Sequence, residues 1–271
     1  MRFGHLAILL CATFLFQYRQ IYGASEIVPL QERAQGQSLV GASQLNDSLH
    51  SNPAANAFVQ VYSVDVSYFM PKSFSASVLD TKTSSINGSL GYFKENNDGS
   101  RGLEGLKLGL SGKLSEVLSL GVAGKALWGP NVAGESDKLN DVDTGLLFRM
   151  ASLQAGLVVR NTLGGNDRMD FGREWSAGLR YGWQQTLFAS VATVSRWKKF
   201  SPYQYGVGAE YVSPYYFSIK GGYRIQPDDS KSYWSTGVSL LSPRLSVHYA
   251  VEFPRQPDEK VEHNVGVTMM F

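Results

Sequence analysis

The side chains able to do chemistry in this chain are scattered singly. Lys107, Lys125, Arg149, Arg160, Arg180, Glu210, Lys220, Arg224, His248 and Glu252 each stand on the polar side of a segment whose alternate residues are apolar. Their companions on that side are mostly Gly and Ser. Ionisable groups placed this way line an interior rather than converge on one reaction centre. Two roles suit them. A cationic lining would select anionic or amphipathic solutes. Alternatively, Glu210 and Glu252 pair with nearby Arg and Lys and hold the interior together, because buried charges normally find partners. Nucleophilic catalysis would need a Ser beside a base. His248 has Ser239 and Ser246 near it in sequence, but such a pair arises by chance in a chain this rich in Ser. The chain is therefore read as a non-enzyme. The histidines at 50, 248 and 263 have no metal-ligand spacing, and no phosphate loop or nucleotide signature occurs, so no cofactor is expected.

The elements that position these groups are strands. Leu118, Leu120 and Val122 alternate with Ser119, Gly121 and Ala123. Leu153, Ala155, Leu157 and Val159 alternate with Gln154, Gly156, Val158 and Arg160. The same pattern recurs through Trp175–Trp183, Tyr205–Tyr211, Trp234–Leu240 and Leu245–Phe253. Period two over about ten residues, repeated along the chain, is the signature of a transmembrane β-barrel. Its outward face would carry Leu157, Leu179 and Val238 against lipid, with Gly156 and Ser239 facing the lumen. Aromatic residues gather at strand ends (Trp175, Trp183, Trp234, Phe253), as interfacial girdles do.

The connections predict the same architecture. Short links at 114–116, 150–151, 185–186, 213–214 and 242–243 alternate with long ones at 128–141, 162–173, 196–203, 226–231 and 254–260. Barrels have short periplasmic turns and longer outer loops. The expected fold is all-β, an antiparallel up-and-down barrel of about fourteen strands over residues 57–271. The last alternate residues, Val265, Val267, Met269 and Phe271, form the aromatic-ended strand that barrel-assembly machinery recognises.

Before the barrel lie two segments. Residues 1–24 read as a secretory signal: Arg2, then an apolar run from Leu6 to Phe16 that is too short to span a bilayer. Cys11 is the single cysteine and would leave with it. Residues 25–56 are polar, rich in small side chains and without alternation, and are read as a hatch or plug packed into the barrel, the alternative being a mobile periplasmic arm. The formal net charge of +2 gives no reason to expect a nucleic-acid partner. The 43% hydrophobic content and mean hydropathy of −0.16 look soluble, yet a barrel gives the same average, because only every second strand residue meets lipid.

Gly41-Ala42-Ser43 and Asn52-Pro53-Ala54, just before the first strand, resemble the start of the FadL/PorV-like superfamily of outer-membrane proteins. The C-terminal third resembles it further in Gly208-Ala209-Glu210-Tyr211, Gly221-Gly222-Tyr223-Arg224, Gly237-Val238-Ser239-Leu240, His248-Tyr249 and the terminal His263-Asn264-Val265-Gly266-Val267. The resemblance implies a fourteen-stranded barrel with an N-terminal hatch in its mouth, containing Gly41, Ala42, Asn52, Pro53 and Ala54. It implies either transport of hydrophobic molecules or service as a secretion-system barrel. The outer loops are too short for the first ligand site of the fatty-acid transporters.

The expected function is passive passage or lateral release of a small hydrophobic molecule across the outer membrane, gated by the hatch. The rival is a non-transporting barrel that anchors or hands on partner proteins. An open apolar tunnel would favour the first and a plugged lumen the second. The hatch is expected in the periplasmic mouth, against inward groups such as Arg180, Lys220 or Arg224.

Overall fold

In a computed structural model, which describes residues 26–43, 45–96, 102–197, 201–256 and 259–271, the chain forms a closed barrel of fourteen antiparallel strands, each paired with its neighbours in sequence order. The expected signal and Cys11 lie outside the described residues. The wall comprises β1 (Tyr62–Phe69), β2 (Ser73–Asp80), β3 (Asn87–Glu95), β4 (Leu103–Lys113), β5 (Leu118–Pro130), β6 (Ser136–Met150) and β7 (Leu153–Asn166). It continues with β8 (Phe171–Trp183), β9 (Leu187–Arg196), β10 (Pro202–Val212), β11 (Phe217–Gln226), β12 (Lys231–Leu241), β13 (Leu245–Pro254) and β14 (Glu262–Met270). β1 pairs with β14, Val66 opposite Val267, so the sheet has no free edge. Closure pairs every strand on both sides, as a sheet in hydrocarbon would require. No described helix is long and apolar enough to cross a membrane, which says nothing about crossing by strands.

An even strand count puts the start of β1 and the end of β14 at one end of the barrel, the proximal mouth. The other end is the distal mouth. Alternation sorts side chains as the sequence implies: along β4, Leu106, Leu108 and Leu110 are exposed on the outside while Lys107 and Ser111 are buried inside. Val265, Met269 and Phe271 also lie on the exposed face, and the Phe271 ring meets Tyr62 edge-on at 5.8 Å.

Two distal loops are shorter than the sequence predicts. The segments 128–141 and 162–173 mostly continue strands, leaving connections of 131–135 and 167–170. One polar residue read as a loop signal, Asp141, is instead used inside the ladder. The Asp141 carboxylate accepts from the Leu163 and Gly165 backbone N–H groups at 2.9 and 2.8 Å, bridging a register shift between Arg160 and Gly165. The Asn131 side-chain oxygen accepts from Ala133 and Glu135 N–H, both at 2.9 Å, and closes the tighter turn.

The segment before the wall lies inside it. It contains α1 (Leu30–Ala34), α2 (Ser48–Ser51) and 3-10 turns at Leu39–Gly41, Leu45–Asp47 and Pro53–Phe58. Phe58 therefore closes the last turn of this segment, and β1 begins only at Tyr62.

Candidate functional site

The lumen segment is seated on a band of wall glycines. Gly121 on β5 stands opposite Gly145 on β6, and Gly156 on β7 stands opposite Gly178 on β8. A Cβ at Gly121 would overlap Pro53 and Ala54, one at Gly145 the Asn52 amide, and one at Gly156 the Val40 carbonyl. From the other side, a Cβ on Gly41 would come within 2.6 Å of the Gly178 carbonyl. Backbone thus packs on backbone, which only glycine permits on both faces. Asn52 ties the arrangement together. Its Nδ2 donates to Val40 O at 3.0 Å and to Leu146 O at 3.2 Å, while its Oδ1 accepts from Ala54 N–H at 3.1 Å. Pro53 occupies the first turn of the 3-10 helix, where a missing N–H costs nothing. Ser119 on the wall donates to Ala54 O at 2.9 Å.

Further around the barrel, Gly36 sits at φ +62 with no room for a side chain against Tyr223 and Val207, and its N–H donates to Ser235 Oγ at 3.1 Å. Ser38 shares a hydrogen bond with Ser190 at 2.6 Å. Asn46 reaches the opposite wall, donating to Ser77 O at 3.1 Å and accepting from Ser63. The segment therefore touches most of the circumference.

Midway up the lumen an ion cluster clamps the segment's start. Lys107 and Lys125 stand directly opposite each other on β4 and β5. Like charges so paired repel. The Glu26 carboxylate accepts from both ammonium groups, and Asp143 on β6 lies 3.2 Å from Lys107 and 2.7 Å from Lys125. Both lysine side chains are 0% exposed, so each charge depends on these partners. Burial alone would raise the Glu26 carboxyl, but Lys107 and Lys125 together hold it below its ordinary range. Nearby, burial lifts Glu32, which accepts from Ser51, and lifts Asp47, which also feels Asp65 and Glu32 and accepts from Gln31 N–H at 3.1 Å. Burial drives the His50 ring down to about 3, so it is neutral beside Phe93.

Above this cluster the distal lumen is apolar. Ile27 and Leu30 of the segment join Phe69, Phe93, Leu103, Leu127, Leu139, Met169 and Phe171 of the wall in one buried cluster. Two small cavities lie at opposite ends. One of about 170 Å³ at the distal rim is lined by Ile27, Arg33, Phe69, Glu95 and Glu262; one of about 210 Å³ opens at the proximal mouth beside Phe58 and Arg149.

The inward charges read from sequence divide into several sets. Arg180 donates to Glu210 at 2.8 Å, with Lys220 at 3.4 Å from the same carboxylate. Arg224 donates to Glu252 at 2.6 Å. Arg160 donates to Ser176 at 3.3 Å. Arg149 is exposed at the proximal mouth, its guanidinium 5.8 Å from the Phe58 ring centroid. His248 Nδ1 lies 2.8 Å from Ser239 Oγ, and its Nε2 lies 3.3 Å from Thr268, which donates to Asp65. Ser239 also accepts from Lys220 at 2.8 Å and is buried, so this network cross-links β1, β11, β12, β13 and β14.

The segment reaches the proximal mouth at Ala42, Ala55 and Phe58 but extends beyond it, and its partners differ from the expected Arg180, Lys220 or Arg224. Those three groups are engaged by wall carboxylates, and the segment instead reaches Lys107 and Lys125, with Arg33 pairing to Glu262 at the distal end of β14. Gly156 and Ser239 are likewise committed to contacts rather than facing open lumen.

No protein-family model matches the sequence, and no curated protein matches it by sequence. Solved structures do match in three dimensions. The CymD monoaromatic hydrocarbon channel superimposes with a TM-score of 0.66 at 11% identity, covering 90% of this chain and 97% of that one. The Pseudomonas putida toluene transporter TodX gives 0.62 at 12% identity, covering 88% and 96%. A Pseudomonas aeruginosa FadL homologue gives 0.60 at 11% identity, covering 92% and 99%.

The chain has the FadL-like barrel fold.

Within this FadL-like barrel, Glu26, Asp143 and the glycine band were not singled out from the sequence as groups that hold the segment. One signal was available. Two inward lysines at the same level on adjacent strands need anions nearby, and Glu26 is an acidic residue of the segment that the sequence reads as a plug.

Proposed function

We propose that this protein is an outer-membrane channel for a small hydrophobic molecule, with residues 26–58 as its internal gate and the proximal mouth, where β1 begins and β14 ends, facing the periplasm. The apolar cluster at the distal mouth carries the reading. Phe69, Phe93, Leu127, Met169 and Phe171 pack with Ile27 and Leu30 in the distal lumen, and once the segment shifts they would offer an apolar solute a surface on which to leave the outer leaflet. The monoaromatic hydrocarbon channel CymD and the toluene transporter TodX, which share this fold, support that class of solute. Passage then requires the segment to shift, because it fills the axis between the two mouths.

The filled lumen also suits the second reading, a barrel that anchors partner proteins. One experiment separates them. The full-length protein and a variant lacking residues 25–50 are reconstituted in vesicles, and entry of a fluorescent aromatic hydrocarbon and of a hydrophilic dye is followed. The channel reading expects hydrocarbon entry above protein-free vesicles with the full chain, and added dye leak with the deletion. Hydrocarbon entry no faster than through lipid alone, with either protein, would reject it.

A further inference from the structure

The cavity at the proximal mouth has a chemistry distinct from the distal apolar cluster. It forms where the chain leaves the lumen and enters the wall. Its floor is Ala42, Ala55, Phe58 and Leu147, and its rim is Arg149, Gln154 and Arg180, enclosing about 210 Å³. The rim residues are in register: Arg149 on β6 stands opposite Gln154 on β7, which stands opposite Arg180 on β8. Arg180 is engaged by Glu210 and lies 4.0 Å from the Phe188 ring centroid. Arg149 is different. Its guanidinium lies over Phe58, as does the Lys113 ammonium at 5.6 Å, and among the described residues neither cation meets a carboxylate.

A pocket with an apolar floor, an uncompensated guanidinium and a side-chain amide at one edge fits one ligand chemistry. A planar carboxylate can accept from the guanidinium fork and the amide together. A short aryl or alkyl tail can lie on Phe58 and Leu147. A neutral hydrocarbon would leave the guanidinium without use.

We propose that the proximal pocket binds a small amphipathic monocarboxylate, with its carboxylate on Arg149 and the Gln154 amide and its tail against Ala42, Ala55, Phe58 and Leu147. The site concerns the seated, closed form, so it stands apart from the channel reading and can hold if that reading fails.

The test is calorimetric titration of the full-length, folded protein in neutral detergent with benzoate, benzyl alcohol and inorganic phosphate. Benzoate should bind saturably and at least about tenfold more tightly than either of the others, the worth of one hydrogen bond to a charged group. Arg149→Gln should weaken benzoate about tenfold or more and leave benzyl alcohol unchanged, and Arg149→Lys should recover part of the loss. Benzoate should also slow amide exchange in residues 55–59. Benzyl alcohol binding as tightly as benzoate would reduce the site to an apolar cleft, and phosphate binding as tightly would reduce it to a general anion site. Either result overturns the proposal, as does absence of saturation or an unchanged Arg149→Gln. If that variant lacks the heat-modifiable mobility of a folded barrel, the comparison of the three ligands on the wild type decides alone.

Discussion

Glu26→Gln tests the clamp that holds the lumen segment. The wild-type cluster places two ammonium groups, Lys107 and Lys125, against two carboxylates, Glu26 and Asp143. The substitution leaves two cations sharing Asp143, with both lysine side chains fully buried. Breaking a buried ion pair from one side costs about 3–5 kcal/mol. The glutamine oxygen still accepts one ammonium hydrogen bond, so the lower end, about 3 kcal/mol, applies. At 1.4 kcal/mol per factor of ten, the population in which residues 26–36 lift off the wall should rise roughly a hundredfold. Amide exchange in that stretch should accelerate by this factor, while exchange in the β5–β8 ladder stays unchanged. The pair Glu26→Gln with Lys125→Met removes one charge of each sign and leaves Lys107 with Asp143, so most of the protection should return. Wild-type exchange rates in Glu26→Gln would refute the reasoning. A double variant as fast as the single would show that charge balance is not what seats the segment.

Other changes probe the same architecture. The buried, neutral His50 takes no proton until about pH 3, whereas a released segment would protonate it near 6.5, so acidification through that window favours release. His50→Gln should remove up to about 1.4 kcal/mol per pH unit of that slope, read as the difference between variant and wild-type exchange from pH 6.5 to 4; parallel curves would contradict it. Asn52→Ala deletes three hydrogen bonds, two from Nδ2 and one to Oδ1, and should loosen residues 40–54 by about 2–4 kcal/mol without lowering the urea midpoint of the wall. Gly156→Val should unseat Val40 and Asn52 similarly, and unaltered protease resistance of the segment would argue against the glycine band as its seat. Arg at Leu157, Leu179 or Val238, all exposed on the outer face, should cost about 2–4 kcal/mol of barrel stability in bilayers. Tolerance at all three would mean that this face does not meet lipid.

What could be read from the sequence follows from a short-range rule. In a strand each side chain points opposite to its neighbour, so Leu118-Ser119-Leu120-Gly121 declares its two faces without reference to anything distant. Repetition of that pattern and the even number of segments then lead to a closed barrel, and the structure contains one of fourteen strands. Loop lengths were less legible. Asp141, Asn131 and Asn166 are all turn-forming types, yet Asn131 and Asn166 do close turns while Asp141 accepts from strand N–H groups, and which use prevails depends on the strand alongside. The candidate site was the least legible. Glu26 is 81 residues from Lys107 and 99 from Lys125, and Asn52 is 94 residues from Leu146. No periodicity relates positions so far apart. The glycines that receive the segment look identical, in sequence, to those that only fill a narrow interior. Tertiary structure alone decides which of them meet backbone, because closure of the wall sets which strands share a level and the path of one unpatterned segment sets what each level must accommodate.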